Sequence, residues 1–157
     1  MKIPKSVELV IKEFVKVCKK KLGENLVSIV LFGSYAREKH KETSDVDLLV
    51  IANKLPKEWQ KRKKLFESAV DKFYKKYGKY IEVIPLTREE FLLNIEHHNS
   101  FLITLLLGHK VLFDKNFFVN SFRDFASALK KENFMYYEGG EKWEIKKLAE
   151  KYLQSFG

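Results

Sequence analysis

The sequence holds one cysteine, Cys18, in 157 residues. An internal disulfide is therefore excluded, and no Cys/His grouping has the spacing of a zinc site. Proline and glycine are also scarce, at 3 and 7 residues; no internal repeat, low-complexity segment or flexible linker is visible. No apolar run approaches the ~20 residues that span a bilayer. The N-terminal "MKIPKSVELVIKEF" is dotted with lysine and lacks the apolar core of a signal peptide. A cytoplasmic address with no membrane role is expected.

Negative charge is in short supply too. There are 21 Asp and Glu against 30 Lys and Arg, leaving +9 at pH 7. Only 4 of those cations are Arg and only 5 of the acids are Asp. Such a surface attracts nucleic acid, nucleotides or an acidic protein. Lys with Glu at this density, beside only two Gln, reads more simply as a solvated surface suited to high temperature. Nucleic acid is therefore not the partner expected from charge alone.

The remaining composition is that of a soluble domain. Hydrophobic residues make up 45% and charged residues 32%, and the length suffices for one domain with a real core. Residues 5–22 read as an amphipathic helix, with Val7, Val10, Ile11, Phe14, Val15, Cys18 and Leu22 on one face. Cys18 lies on that stripe and reads as a small core residue. "LVSIVLF" (26–32) and "DVDLLVIA" (45–52) read as buried strands, and "GKYIEVIPL" (78–86) as a third. Between them, Pro56 is expected to open a helix to about Tyr77, with Trp59, Phe66, Val70, Phe73 and Tyr77 inward. Thr87 reads as an N-cap for the helix "REEFLLNI". A further helix, "SFLITLLLG", stops at Gly108, and "HKVLF" (109–113) is a short strand. Two helices, about 116–131 and 141–155, complete the expectation, with "NFMYYEGG" between them as a contact surface or a turn. The order describes a small sheet with helices packed against it, an α+β or α/β domain.

The stretch "LFGSYAREKHKETSDVDLLV" carries the chemistry. Asp45 and Asp47 point to one face of a strand, while Val46, Leu48 and Val50 point to the other. Two carboxylates so placed either share a proton or bind cations that cancel their repulsion. Hard oxygen ligands in pairs suit Mg²⁺, which takes its other ligands from water and substrate phosphates. A bare D-x-D is more often structural than catalytic, but here Gly33-Ser34 follows a buried strand directly. Glycine permits a sharp turn, serine adds a hydroxyl, and a helix start would add positive charge, which together make a phosphate seat. Glu82 interrupts an apolar strand. It is either an exposed edge residue or the third carboxylate of a site in which two metals ~3.5–4 Å apart align a hydroxyl with an α-phosphate.

Gly33-Ser34, ten intervening residues and Asp45-x-Asp47 resemble the signature of the polymerase-β-like nucleotidyltransferase superfamily. The resemblance is strongest to its minimal nucleotidyltransferases, which are often paired with a HEPN-domain protein. It runs through "IEVIPLTREEF" and "SFLITLLLGHKVLFD", covering roughly residues 5–115. It implies a nucleotidyltransferase core at 1–115 with a C-terminal helical extension at 116–157 packed on the same domain. It further implies that Asp45, Asp47 and Glu82 bind Mg²⁺, two ions in all, and that Glu82 helps deprotonate the acceptor hydroxyl. Gly33, Ser34 and Arg37 would hold the triphosphate of ATP or another nucleoside triphosphate. Two departures stand out. Glu38 occupies a position where the family usually has glycine, with Lys39, His40 and Lys41 following, and Glu82 replaces the commoner Asp.

The activity implied is transfer of a nucleoside monophosphate, AMP from ATP, to a hydroxyl. The favoured acceptor is a tyrosine of a HEPN ribonuclease toxin, which would make the chain an antitoxin; assembly into an oligomer is compatible with that role. The alternatives are a small-molecule acceptor of the antibiotic type and a non-catalytic antitoxin that binds its partner. Other features read as structural. His97 and His98 are adjacent and do not face each other, His40 and His109 are lone histidines, and "KRKK" (61–64) and "KKK" (19–21) are solvated faces.

Overall fold

Hydrophobic periodicity accounts for most of the elements in the computed structural model, which describes residues 3–156. The outermost residues of the 1–115 and 116–157 segments, Met1, Lys2 and Gly157, lie outside it. Helix α1 (Lys5–Leu22) buries Val7, Val10, Ile11, Phe14 and Cys18. A short 3₁₀ turn leads into β1 (Leu26–Phe32), and β2 (Val46–Ala52) returns beside it. Helix α2 (Trp59–Tyr77) connects to β3 (Ile81–Thr87), followed by α3 (Arg88–Glu96), α4 (Ser100–Leu107) and β4 (Lys110–Asp114). The chain closes with α5 (Phe118–Leu129), β5 (Met135–Glu138), β6 (Glu141–Glu144) and α6 (Ile145–Gln154).

The main sheet is four-stranded and mixed, in the order β3-β2-β1-β4. Strands β1 and β2 are antiparallel, whereas β2 and β3 are parallel and joined through α2. The parallel pair needs such a crossover, and the crossover helix covers one face. That face carries Phe14, Leu31, Leu48, Phe66 and Val83 from α1, the sheet and α2. The opposite face packs Val30, Leu49, Phe91, Leu105, Phe118 and Phe122 under α3 to α6. Both faces being covered, all of β1 and nearly all of β2 are buried. The mixed α/β class expected from the sequence is the one observed. Among the described residues no helix is long and apolar enough to cross a membrane.

Four expectations need correction. The segment 135–144 is a β-hairpin, so the last helix begins at Ile145 and not near residue 141. Gly139 and Gly140 both take positive φ, +57° and +81°, the conformation a tight two-residue turn demands. Tyr136 opposes Trp143 in the pairing and stacks on it at 5.9 Å, an aromatic cross-strand pair that outweighs the helical spacing of "EKWEIKK". Trp59 does not face inward. It is the first residue of α2 and 46% exposed. The segment "KRKK" is not uniformly solvated either. Arg62 is buried, donating to the Pro56 carbonyl at 2.6 Å, the Pro85 carbonyl at 3.2 Å and Glu90 at 2.7 Å. Pro56 thus accepts a bond from α2 without opening it.

Cys18 is fully buried, and burial pushes its thiol up to about 12, so it is no nucleophile. His109 is held below its usual range by burial, and its Nδ1 lies 2.9 Å from the Leu105 carbonyl, between the rings of Phe118 and Phe122. Its role is in packing.

The C-terminal helices share the core of the sheet. Phe122 is fully buried against Phe118 at 5.2 Å and Tyr152 at 5.1 Å. Phe122→Ala is expected to cost about 3–5 kcal/mol of stability, by lost transfer energy plus a cavity. Denaturant unfolding would show this as a lower midpoint in one cooperative transition. A loss under about 1 kcal/mol would mean that α5 and α6 are dispensable to the core.

Candidate functional site

Charge emerges where β1 ends and β2 begins. Asp45 is exposed just before β2, and Asp47 is half-buried one residue inside it. The strand pairing puts Phe32, Asp47 and Glu82 opposite one another on β1, β2 and β3. Residues opposite each other share a face, so Asp47 and Glu82 stand in one lateral row. Asp45 shares that face by the two-residue period.

Gly33 lies beside this row for a specific steric reason. It has φ of +76°, and a Cβ built there would stand 2.1 Å from Asp47 Oδ2. Only glycine leaves room for that carboxylate. The chain then winds through a series of turns, with the Arg37 N–H donating to the Gly33 carbonyl at 3.1 Å and the Lys39 N–H to the Ser34 carbonyl at 2.9 Å. Glu38 in this turn has φ of +56°. A left-handed backbone of this kind is one that glycine adopts most readily.

Electrostatics mark Asp47 as the strained member. Burial, then the charges of Asp45 and Glu82, push its pKa up to about 6. Like charges gathered without a counter-ion have this effect. Glu82 has a counter-ion: Lys63 Nζ lies 2.8 Å from its Oε1 and also donates to the Val83 carbonyl at 3.1 Å. Among the described residues no three His, Cys, Asp or Glu side chains are gathered closely enough to hold a metal as they stand. The donor set nevertheless suits a hard dication, being all carboxylate and short of positive charge at Asp47. Glu82 would have to turn from Lys63 to join it.

Several residues at the site carried no legible signal. Lys79 donates to the Tyr35 hydroxyl at 2.8 Å and to the carbonyls of Glu42 and Ser44, tying down the loop between Gly33 and Asp45. Tyr35 in turn stacks on His40 at 4.6 Å. Arg37 is already engaged: its Nη1 lies 2.7 Å from Glu138 on the hairpin, and its guanidinium stands over Trp143 at 5.7 Å. Lys39 pairs with Glu141 at 3.1 Å. No sequence period connects residues a hundred positions apart.

A sheet whose turn and carboxylates meet at one end defines a class, and the comparisons agree. The chain belongs to the nucleotidyltransferase domain family, whose pattern matches residues 11–108. It is a nucleotidyltransferase. It is 36% identical over 137 residues to "Putative protein adenylyltransferase MJ1305" of Methanocaldococcus jannaschii, covering 87% of this chain and 92% of that protein. With "Putative protein adenylyltransferase MJ1215" of the same organism it shares 55% over 42 residues, 26% of this chain and 49% of that protein. Solved structures with the same fold include a toxin-antitoxin with AMP-PNP, at TM-score 0.50 and 16% identity over 74% of this chain and 87% of that one. Another is spectinomycin adenyltransferase AAD(9) from Enterococcus faecialis with ATP and spectinomycin, at TM-score 0.54 and 16% identity over 79% of this chain and 66% of that one.

The Asp47 shift has a consequence for stability. Its folded pKa, about 6, exceeds the reference 3.8, so the native state binds the proton more tightly than the unfolded chain. Stability therefore falls as pH rises from about 4 to about 6, and the full penalty persists above that. Asp47→Asn should match the parent near pH 4 and exceed it near pH 7, by about 1–2 kcal/mol after allowing for screening by water. Thermal melts of the metal-free proteins across this range check it. A variant less stable than the parent at pH 7 would show that Asp47 is not strained.

Proposed function

We propose that the chain transfers AMP from ATP to the hydroxyl of a protein acceptor, a tyrosine of a HEPN ribonuclease toxin, and so acts as an antitoxin. One observation carries the chemistry: Asp47 and Glu82 are opposite each other on parallel strands, with Gly33 making room for the Asp47 carboxylate. The relative of 36% identity, named as a protein adenylyltransferase, supports a protein acceptor. The toxin-antitoxin structure with AMP-PNP shares the fold and fits the same reading.

In this reading Asp45, Asp47 and Glu82 hold Mg²⁺, which would neutralise triphosphate charge and help orient the α-phosphate. Gly33 and Ser34 line the turn where the phosphates approach, and Arg37 reaches their oxygens. Glu82 accepts the proton of the attacking hydroxyl as its oxygen bonds to the α-phosphorus. The bond from that phosphorus to the bridging oxygen breaks, and pyrophosphate leaves. A carboxylate raised towards neutrality by burial and then by its acidic neighbours is suited to ligate a cation, whose charge offsets both.

Transfer is tested with purified chain, Mg²⁺ and each α-labelled nucleoside triphosphate, with and without a HEPN-domain protein. Label on a tyrosine of that protein, highest with ATP, is the expected result. Asp45→Asn should reduce transfer by three orders of magnitude or more, on the order of the loss of a transition-state interaction, with an unchanged circular dichroism spectrum. Label appearing only on a small molecule such as an aminoglycoside would overturn the protein acceptor, and no label anywhere would overturn the enzyme reading.

Arg37 must exchange Glu138 for phosphate. Glu138→Gln should weaken the competing pair and tighten Mg·ATP binding about two- to tenfold, up to ~1.4 kcal/mol. Calorimetry reads this directly. Unchanged affinity would place Arg37 away from the triphosphate.

A further inference from the structure

We propose that Lys79 is a positioning residue of the site: its ammonium fixes Asp45 relative to the turn after Gly33-Ser34, so that Mg·ATP meets ligands already spaced. The inference rests on the nucleotidyl-transfer reading above and deepens it, giving a role to a residue that reading does not use.

The end of α2 delivers Lys79 to this place. Gly78 caps the helix with φ of +66°, and its N–H donates to the Tyr74 carbonyl at 2.8 Å. The chain then enters β3, whose Ile81 lies opposite Val46 on β2. Residues 79 and 80 therefore run past the segment that leads into β2. Lys79 is half-buried there. An ammonium carries three N–H donors, and this one has three acceptors: the Tyr35 hydroxyl at 2.8 Å and the carbonyls of Glu42 at 2.9 Å and Ser44 at 3.1 Å.

Two of these bonds bear on Asp45. The Ser44 carbonyl belongs to the peptide just before it, and the Val46 N–H just after it donates to the Tyr80 carbonyl at 3.0 Å. The backbone of Asp45 is thus held on both sides by consecutive residues, Lys79 and Tyr80. The turn that carries Ser44 is itself closed, since the Lys41 N–H donates to Ser44 Oγ at 2.7 Å and the Ser44 N–H to the Lys41 carbonyl at 3.0 Å. The third bond goes to the other functional segment. Tyr35 follows Ser34 directly and is buried in the core beneath α1 and α2. One side chain therefore ties both ends of the 33–45 connection to a frame made by α2 and the β2–β3 ladder.

A polyanion would not strip this clamp as it would its neighbours. Lys63 and Arg37 hold carboxylates and would exchange them for phosphate, whereas the acceptors of Lys79 are neutral and lie in the loop it orders. Among the described residues Lys79 has no carboxylate partner. Bonds from an ionised donor are the stronger kind, and groups that orient a metal ligand from outside the site govern how well that ligand binds.

The test compares the parent with Lys79→Met, which keeps the stem and loses the donors, and with Tyr35→Phe, which keeps the buried ring and loses one acceptor. Lys79→Met should weaken Mg·ATP binding in calorimetry about 10–100-fold and speed hydrogen exchange of the amides over 40–46. Tyr35→Phe should weaken binding about two- to tenfold, the scale of one hydrogen bond. Lys79→Arg, which keeps the charge and several donors, should recover most of the loss, and Lys72→Met on the exposed face of α2 should match the parent. In AMP transfer the loss should fall mainly on KM, because bound Mg·ATP restores the spacing. Parent-like affinity in either Lys79→Met or Tyr35→Phe would overturn the inference, so Tyr35→Phe decides it even if Lys79→Met does not fold. A parent that binds Mg·ATP and labels an acceptor, beside variants of equal affinity, would overturn this inference alone. A parent that does not bind Mg·ATP would overturn the transfer reading and this inference with it.

Discussion

The structure turns on a repulsion that the sheet does not relieve. Strands β1 and β2 are buried on both faces, so their interiors admit almost no charge. At one end of the sheet the register sets Asp47 directly against Glu82, with Asp45 just before the strand. Gly33 keeps Asp47 in this row, because any side chain at that turn would meet its carboxylate. The fold thus concentrates negative charge where a dication and a triphosphate would cancel it. That arrangement costs stability in their absence, which is the direction in which the Asp47 pKa has moved.

Three cations of the neighbourhood hold acidic partners. Lys63 holds Glu82, Arg37 holds Glu138, and Lys39 holds Glu141. Binding of a polyanion by these three residues would consequently be an exchange of partners. Exposed pairs such as Lys39–Glu141 are worth little individually, about 0–1 kcal/mol, so such an exchange is energetically accessible. The hairpin reaches the turn after β1 through these pairs and through Trp143, which lies under the Arg37 guanidinium. A C-terminal segment with no recognisable motif is in this way tied to the motif at the other end of the chain.

Periodicity made the sheet, α1, α3, α4 and both cores legible, because burial on two faces writes itself into short apolar runs. Asp45 and Asp47 stood out as paired acids at the mouth of an apolar strand, and Glu82 as an acid interrupting another; the register that sets Asp47 opposite Glu82 comes from the structure. What escaped depends on distance in sequence. The hairpin at 135–144 was hidden because "EKWEIKK" also has helical spacing, although two consecutive glycines marked its turn. Arg62 and Lys63 were lost inside a basic run, since a solvated lysine and one that reaches a carboxylate nineteen residues away look alike.

The length of the glutamate side chain at position 82 also makes physical sense. Its backbone is fixed opposite Asp47 by the parallel ladder, and a shorter carboxylate would stay near that position. The extra methylene lets Glu82 reach Lys63 on α2 while its neighbour Val83 offers a carbonyl to the same ammonium. Lys63 thereby draws one of three like charges away from the row when no cation is present, and leaves Asp47 to carry the strain. A dication beside Asp47, as proposed above, would offer Glu82 a second partner that side-chain rotation alone could reach. Rotamer changes of this kind need no movement of the buried strands, so the site can accept its charge without disturbing the core that sets the row.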